Sequence, residues 1–328
     1  MAGCTFLGLG VMGFPMAGHL QAAGHDVTVW HRTAAKAQAW AEQHGGKYSD
    51  TVEAAVGDAD VVMMCLGDDP DVRAIAEQAI PAMKPGAILI DHTTASAELA
   101  RELDTDARDA GVGFIDAPVS GGQAGAESGQ LTIMCGGEAD TFARAEPVMN
   151  AYAKAMSLIG PAGSGQLAKM VNQICIAGLV QGLSEGLNFA MAADLDTDAL
   201  LEAISGGAAQ SWQMVNRGQT MVEDKFDFGF AVDWMRKDLR ICLEEAGRNG
   251  APLPVTELVA GYYDELSAAG GGRSARRPPR DRRTVVARRR RTTTRVPCRR
   301  AGRASPSPRP PAQSPAWARP AAARAAEP

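Results

Sequence analysis

The chain has 328 residues, 45% of them hydrophobic, with 33 Lys and Arg against 38 Asp and Glu. That length suits about two domains of roughly 150 residues, and the six scattered cysteines, Cys4, Cys65, Cys135, Cys175, Cys242 and Cys298, show neither the paired spacing of a metal site nor a disulfide framework. No run of about 18 uninterrupted apolar residues is present and no basic stretch precedes the apolar start "MAGCTFLGLG", which argues against a membrane span or a signal peptide and for a reducing cytoplasm.

In chain order, short β-prone runs come first: "CTFLGL", "DVTVW", "ADVVMMCL", "AILID", "GFIDA" and "LTIMCGG". Segments of helical periodicity separate them, such as "PDVRAIAEQAIPAM" and "ASAELARELDTDARDAG", each opened by turn or cap residues and closed by Pro or Gly. This alternation predicts βαβ units and a parallel sheet. From Gly163 the alternation stops, and "GSGQLAKMVNQICIAGLVQGLSEGLNFAMAAD" reads as one long apolar helix followed by "DTDALLEAIS", "FAVDWMRKDLRICLEEAGRNG" and "LPVTELVAGYYDELSAAG" as further helices. The expected class is α/β, with a Rossmann-like dinucleotide-binding domain over 1–162 and an all-α domain over 163–272 that begins with an interdomain helix.

Residues 273–328 form a third segment of different character. They carry 17 Arg and no Lys, with Asp281 and Glu327 as the only acids, whereas residues 1–272 carry 16 basic and 36 acidic residues. Out-of-frame reading of a GC-rich gene yields this mixture of Arg, Pro, Ala, Gly, Ser and Thr, so the segment is expected to derive from a shifted frame. Too little apolar surface remains to offset ordering entropy, which predicts a disordered tail.

The first motif is "CTFLGLGVMGFPMAGHL", where Gly8, Leu9, Gly10, Val11, Met12 and Gly13 join a strand to a helix. Gly8 permits a tight turn, Gly10 lets the backbone approach a pyrophosphate, and Gly13 allows close helix–strand packing, with the helix N-terminus toward the anion. A lone GxGxxG also occurs as a structural turn, but this one opens the first βαβ unit of an alternating domain. About 20 residues on, where an acid would bind the ribose of NAD, the second strand ends in His31, Arg32 and Thr33. A guanidinium suits a 2′-phosphate, so NADP is favoured over NAD; the plainer reading of Arg32 is a solvated surface residue.

Two further motifs converge on chemistry. In "FIDAPVSGGQAGAESGQLTIMCGG" the loop Ser120, Gly121 and Gly122 follows a strand, and its successive N–H groups with a hydroxyl suit a carboxylate, although a glycine turn alone would look the same. In "GSGQLAKMVNQ" Lys169 has Asn172 and Gln173 at i+3 and i+4 on one face of an apolar helix. A lone lysine there would snorkel to solvent; three polar groups on one face point to a site. Asp238 beside Lys237 reads equally well as a helix-surface ion pair, and His92 lies near the expected cleft as a weaker candidate acid.

Together "GLGVMGFPMA", "DAPVSGGQAGAESGQL", "GSGQLAKMVNQ" and "DFGFAVDWMRKDL" resemble, in order and spacing over about residues 3–272, the β-hydroxyacid dehydrogenase family, typified by 3-hydroxyisobutyrate dehydrogenase and tartronate semialdehyde reductase. The resemblance implies Lys169 as catalytic acid/base, Ser120, Gly121 and Gly122 as the carboxylate site, and Asn172 with Gln173 as orienting amides. It implies cofactor contacts at Thr94, Lys237, Leu66 and Gly67, the last standing where the family has Pro, while His31 stands where an Asn is common. The implied partner is a short hydroxy acid or semialdehyde, and the implied assembly a homodimer or homotetramer. "AAQSWQMVNR" is expected to line the helical side of the cleft. A nucleic-acid-binding protein using the arginine tail is the alternative from another class; the acidity of residues 1–272 and the near absence of tail aromatics oppose it. A third reading is a defective enzyme that keeps cofactor without turnover.

Overall fold

Apolar runs bounded by turn residues become the strands β1 (Gly3–Leu7), β2 (Asp26–Trp30), β3 (Lys47–Tyr48), β4 (Val61–Met64), β5 (Ile88–Asp91), β6 (Gly113–Asp116), β7 (Val119–Ser120), β8 (Leu131–Gly137) and β9 (Ala153–Gly160). The structure, a computed structural model, describes residues 1–226 and 229–271; the tail expected from residue 273 lies outside the described residues. Strands β3-β2-β1-β4-β5-β6 are neighbours in that order and parallel. The direction of winding reverses between β1 and β4, and open sheets of this kind bind ligands at such a reversal, beyond the strand C-termini.

The helices that return the chain between these strands are α1 (Gly13–Ala22), α2 (Ala34–His44), α3 (Val52–Val56), α4 (Asp69–Ala79) and α5 (Ala97–Asp109). They cover both sheet faces, so β4 and β5 are apolar and buried at nearly every position. Alternation along the strands divides the core: Phe6, Val27, Met63, Ile90 and Ile115 face one way, and Leu7, Val62, Met64, Leu89 and Phe114 the other.

The wholly parallel sheet expected from the sequence stops at β6. Strand β8 runs antiparallel to both β6 and β7, and β9 pairs parallel with β8. Between Asp116 and Leu131 the chain forms only the two-residue β7 and the six-residue α6 (Gly122–Glu127), too little helix to cross the sheet and return in parallel. The eleven-residue α7 (Ala139–Met149) restores a parallel crossover from β8 to β9.

The C-terminal helical domain comprises α8 (Ser164–Ala192), α9 (Thr197–Ser205), α10 (Trp212–Val222), α11 (Val232–Asn249) and α12 (Pro254–Leu266). Helix α8 has 29 residues and, at a mean hydropathy of 1.3, is by length and composition apolar enough to cross a membrane. Its N-terminal part is instead fastened to the sheet by polar groups. The fully buried Asp116, at the end of β6, accepts from Gly163 N at 2.8 Å through Oδ1 and from Gln166 N at 2.8 Å through Oδ2. Two of the N–H groups that a helix start leaves without intrahelical partners are thereby satisfied. Gln166, also fully buried, accepts from Ala95 N at 3.0 Å and donates to Thr93 O at 2.8 Å, tying the same turn of α8 to the segment after β5. Farther along, apolar clusters join α8 to its neighbours: Met170 to Ile241 and Cys242 of α11, then Ala177 to Leu239 and Val259, then Leu183 and Leu187 to Leu201 and Met214.

Candidate active site

The glycine loop lies at the winding reversal. Gly8 has φ +101°, and a Cβ there would stand 2.4 Å from Cys65 O; one on Gly13 would stand 2.0 Å from Gly8 O. At Gly10 a Cβ would meet nothing within 4 Å, so this part of the loop faces open space. The N-cap of α1, Met12, makes no side-chain capping bond; Phe14 N donates to Gly10 O at 3.1 Å and Pro15 has no N–H, so the Gly13 N–H and the positive end of the helix dipole are what this helix start offers an anion. Leu9 is buried, Met12 packs against the sheet core and Val11 is exposed. A dinucleotide pyrophosphate fits this loop: the backbone is approachable at Gly10, and the helix start behind it turns its positive dipole end the same way.

At the end of β2, His31 Nδ1 accepts from Thr33 N at 2.8 Å, which places the ring proton of the neutral form on Nε2. Burial, then the charges of Lys36 and Arg32, pull this imidazole below its ordinary range. Arg32 extends into solvent with its side chain 85% exposed, 3.8 Å from Asp71. Asp71 also borders Gly67, where a Cβ would come within 2.3 Å of its Oδ2.

Lys237 of α11 joins the two halves of the cleft. Its Nζ donates to Gly67 O at 3.2 Å and to Thr94 O, and lies 3.2 Å from Asp238 Oδ1 and 5.8 Å from the Trp234 ring centroid. Leu66 N donates to the buried Thr93 Oγ1 at 2.9 Å, and the neighbouring, less buried Thr94 meets Lys237 through its backbone oxygen.

Lys169 lies in the second turn of α8, with Nζ donating to Val119 O at 2.8 Å, immediately before Ser120. Ser120 and Gly121 lead into α6 with Gly121 and Gly122 at φ +136° and +61°, backbone open to glycine and strained for other residues. Burial lowers the Lys169 ammonium from its ordinary value to about 8; Asp238 opposes the shift and Lys237 adds to it. On the same face Asn172 Nδ2 donates to Gln173 Oε1 at 2.8 Å, and Gln173 Nε2 donates to Asp238 Oδ2 at 2.5 Å.

Three expectations need correction. Asp238 is 3% exposed and bonded to Gln173, so it is a buried member of the cluster and no surface ion pair. His92 is 2% exposed, with Nδ1 2.7 Å from Ala117 O and Nε2 2.9 Å from Tyr152 Oη, and burial lowers it to about 4; it is a satisfied core histidine. "AAQSWQMVNR" does not lie beside Lys169, because Met214 packs on Leu183 and Leu187, about 20 Å along α8 from the lysine at 1.5 Å per residue. Sequence reasoning missed Asp116, Gln166 and Asp71. Asp116 alone left a signal, as an acid ending an apolar strand.

Residues 4–160 match the family described as the NAD binding domain of 6-phosphogluconate dehydrogenase, and residues 163–277 that described as NAD-binding of NADP-dependent 3-hydroxyisobutyrate dehydrogenase. The chain belongs to the β-hydroxyacid dehydrogenase family. It is similar to an uncharacterized oxidoreductase of Shewanella frigidimarina, 56% identical over 82% of this chain and 93% of the relative. It is also similar to 2-hydroxy-3-oxopropionate reductase of Escherichia coli, 32% identical over 76% of this chain and 86% of that enzyme. Among solved structures, the 3-hydroxyisobutyrate dehydrogenase of Mycobacterium tuberculosis with L-serine superposes with a TM-score of 0.77 at 31% identity, covering 84% of this chain and 97% of that one. As a member of the β-hydroxyacid dehydrogenase family the protein is an NAD(P)-dependent dehydrogenase, and nothing in these comparisons supports nucleic-acid binding.

Proposed function

We propose that the protein interconverts a short 3-hydroxy acid and its semialdehyde, with NADP favoured over NAD and Lys169 as general acid/base. The observation that carries this reading is the Lys169 amine, buried, lowered to about 8, and held 2.8 Å from the carbonyl that precedes Ser120. A group titrating near the working pH can both give and take a proton. When bound, the nicotinamide supplies or accepts the hydride. The charged Lys169 polarises a substrate carbonyl oxygen and protonates it during reduction; the neutral amine takes the hydroxyl proton during oxidation. Ser120 and the N–H groups of Gly121 and Gly122 would hold the carboxylate, and Asn172, backed by the buried Gln173, would orient the reacting carbon. Gly8 to Gly13 would hold the pyrophosphate, while Leu66, Gly67, Thr94 and Lys237 border the nicotinamide half. His31, Arg32 and Thr33 would read the 2′-phosphate; the segment that follows β2 holds no acid to favour the 2′-hydroxyl of NAD, and the acid nearest Arg32, Asp71 at 3.8 Å, comes from α4.

The reading divides the chain at 162/163, with the site between the two parts. It places the protein in the cytoplasm and as a homodimer or homotetramer, for which the exposed Val171, Leu179 and Phe189 along α8 offer apolar surface. 3-Hydroxyisobutyrate is the leading substrate; tartronate semialdehyde, glyoxylate and succinic semialdehyde share its carboxylate near the reacting carbon. A panel of these acids and aldehydes with NADP(H) and NAD(H) tests the reading. Turnover with one of them that falls by orders of magnitude in Lys169→Ala supports it, and no turnover with any refutes it.

A further inference from the structure

The buried face between α8 and α11 carries a chain of amides whose polarity is imposed from one end. Gln173 Nε2 meets Asp238 Oδ2 at 2.5 Å, and both residues are 3% exposed. An ionised carboxylate only accepts hydrogen bonds, so Gln173 must turn its NH2 edge to Asp238 and its oxygen the other way. That oxygen receives Asn172 Nδ2 at 2.8 Å, and Asn172, facing an acceptor, must in turn present nitrogen to Gln173. The Asn172 carbonyl oxygen is left on the opposite edge. Without Asp238 either amide could rotate by half a turn at little steric cost, since their O and N atoms are nearly the same size.

We infer that Asp238 is a positioning residue which, acting through Gln173, makes Asn172 offer its carbonyl oxygen to the reacting groups instead of its NH2 edge. This rests on the dehydrogenase reading above and assigns the anion a task beyond pairing with Lys237. An acceptor at that place suits the ammonium of Lys169 or a hydroxyl of the substrate; a donor there would repel the first. The anchor is itself held, because Lys237 lies 3.2 Å from Asp238 Oδ1 while bonded to Gly67 O and Thr94 O. The charged or titratable groups facing the Lys169–Asp238 pair are Lys237 and Cys242 of α11, and Lys169 also meets Val119 O of β7.

Two variants separate the relay from a packing role. Gln173→Met keeps the Asp238 charge and removes the relay; Asp238→Asn keeps the shape and removes both charge and imposed polarity. Each should lower kcat by about 10- to 100-fold with KM for the cofactor changed less than about threefold. Only Asp238→Asn should move the high-pH limb of reduction downward, because Asp238 favours the charged lysine. Modification of Lys169 by acetic anhydride across pH, read by peptide mass spectrometry, follows the same shift without turnover, so it reports on the cluster even if the substrate panel fails. Retained kcat in Gln173→Met, or an unmoved Lys169 midpoint in Asp238→Asn, overturns the inference.

Discussion

The pH dependence of turnover should follow a single buried amine. Folding lowers Lys169 from 10.5 to about 8, which at 1.36 kcal/mol per unit means the site disfavours the ammonium by about 3 kcal/mol relative to water. Reduction uses the charged form, so its rate should be level below about pH 7 and fall about tenfold per pH unit above 8; oxidation should rise over the same interval and level off near pH 9. Both limbs belong to one group, so they should cross near pH 8. The assay is NADPH absorbance from pH 6 to about 10 in each direction at saturating substrate, with Lys169→Ala as the control. That variant should lose about 10² to 10⁴ in kcat and show neither limb. A limb near 10.5 would mean that the lysine is hydrated in the working enzyme; turnover within about threefold of the parent in Lys169→Ala would remove it from the chemistry.

Arg32→Asp should raise KM for NADPH far more than for NADH, because a charge-assisted contact to the 2′-phosphate is lost; equal weakening would show that Arg32 does not read that position. Asp116→Ala strands the N–H groups of Gly163 and Gln166, each held at 2.8 Å. At about 1–3 kcal/mol per buried unpaired donor, urea unfolding should show a loss of about 2–6 kcal/mol for the two donors; a change under about 1 kcal/mol would mean water replaces the carboxylate. Cutting the chain after Gly272 should change neither activity nor nucleic-acid binding. Sequencing the gene tests the shifted-frame origin, since one inserted or deleted base near codon 273 should restore a family-like ending.

The glycine loop and the Lys169 helix were legible because their chemistry is local: GxGxxG needs only its own spacing, and Lys169, Asn172 and Gln173 share a face by helical period alone. Strand β9 was missed because "AKAMSLIG" is half exposed at the sheet margin, and the reversal at β8 because it depends on how little chain follows β6. Asp238 could not be separated from a surface ion pair in sequence; it is buried where α11 meets α8, against Gln173, 65 residues away in the chain. Likewise nothing in "AAQSWQMVNR" says which end of α8 it meets. Contacts between elements far apart in the chain set these features, and a periodic pattern read along one element carries no record of them.

Fastening α8 at its first turn also gears the molecule. Lys169 lies about 8 Å from the Asp116 anchor along the axis and Phe189 about 38 Å. A rocking of about 10° about that pivot would carry Phe189 through some 6–7 Å but the amine through only about 1 Å. Any tilt of α8 about that anchor would therefore displace its far end several times more than Lys169, which makes the proton-transfer distance the least disturbed quantity along the helix.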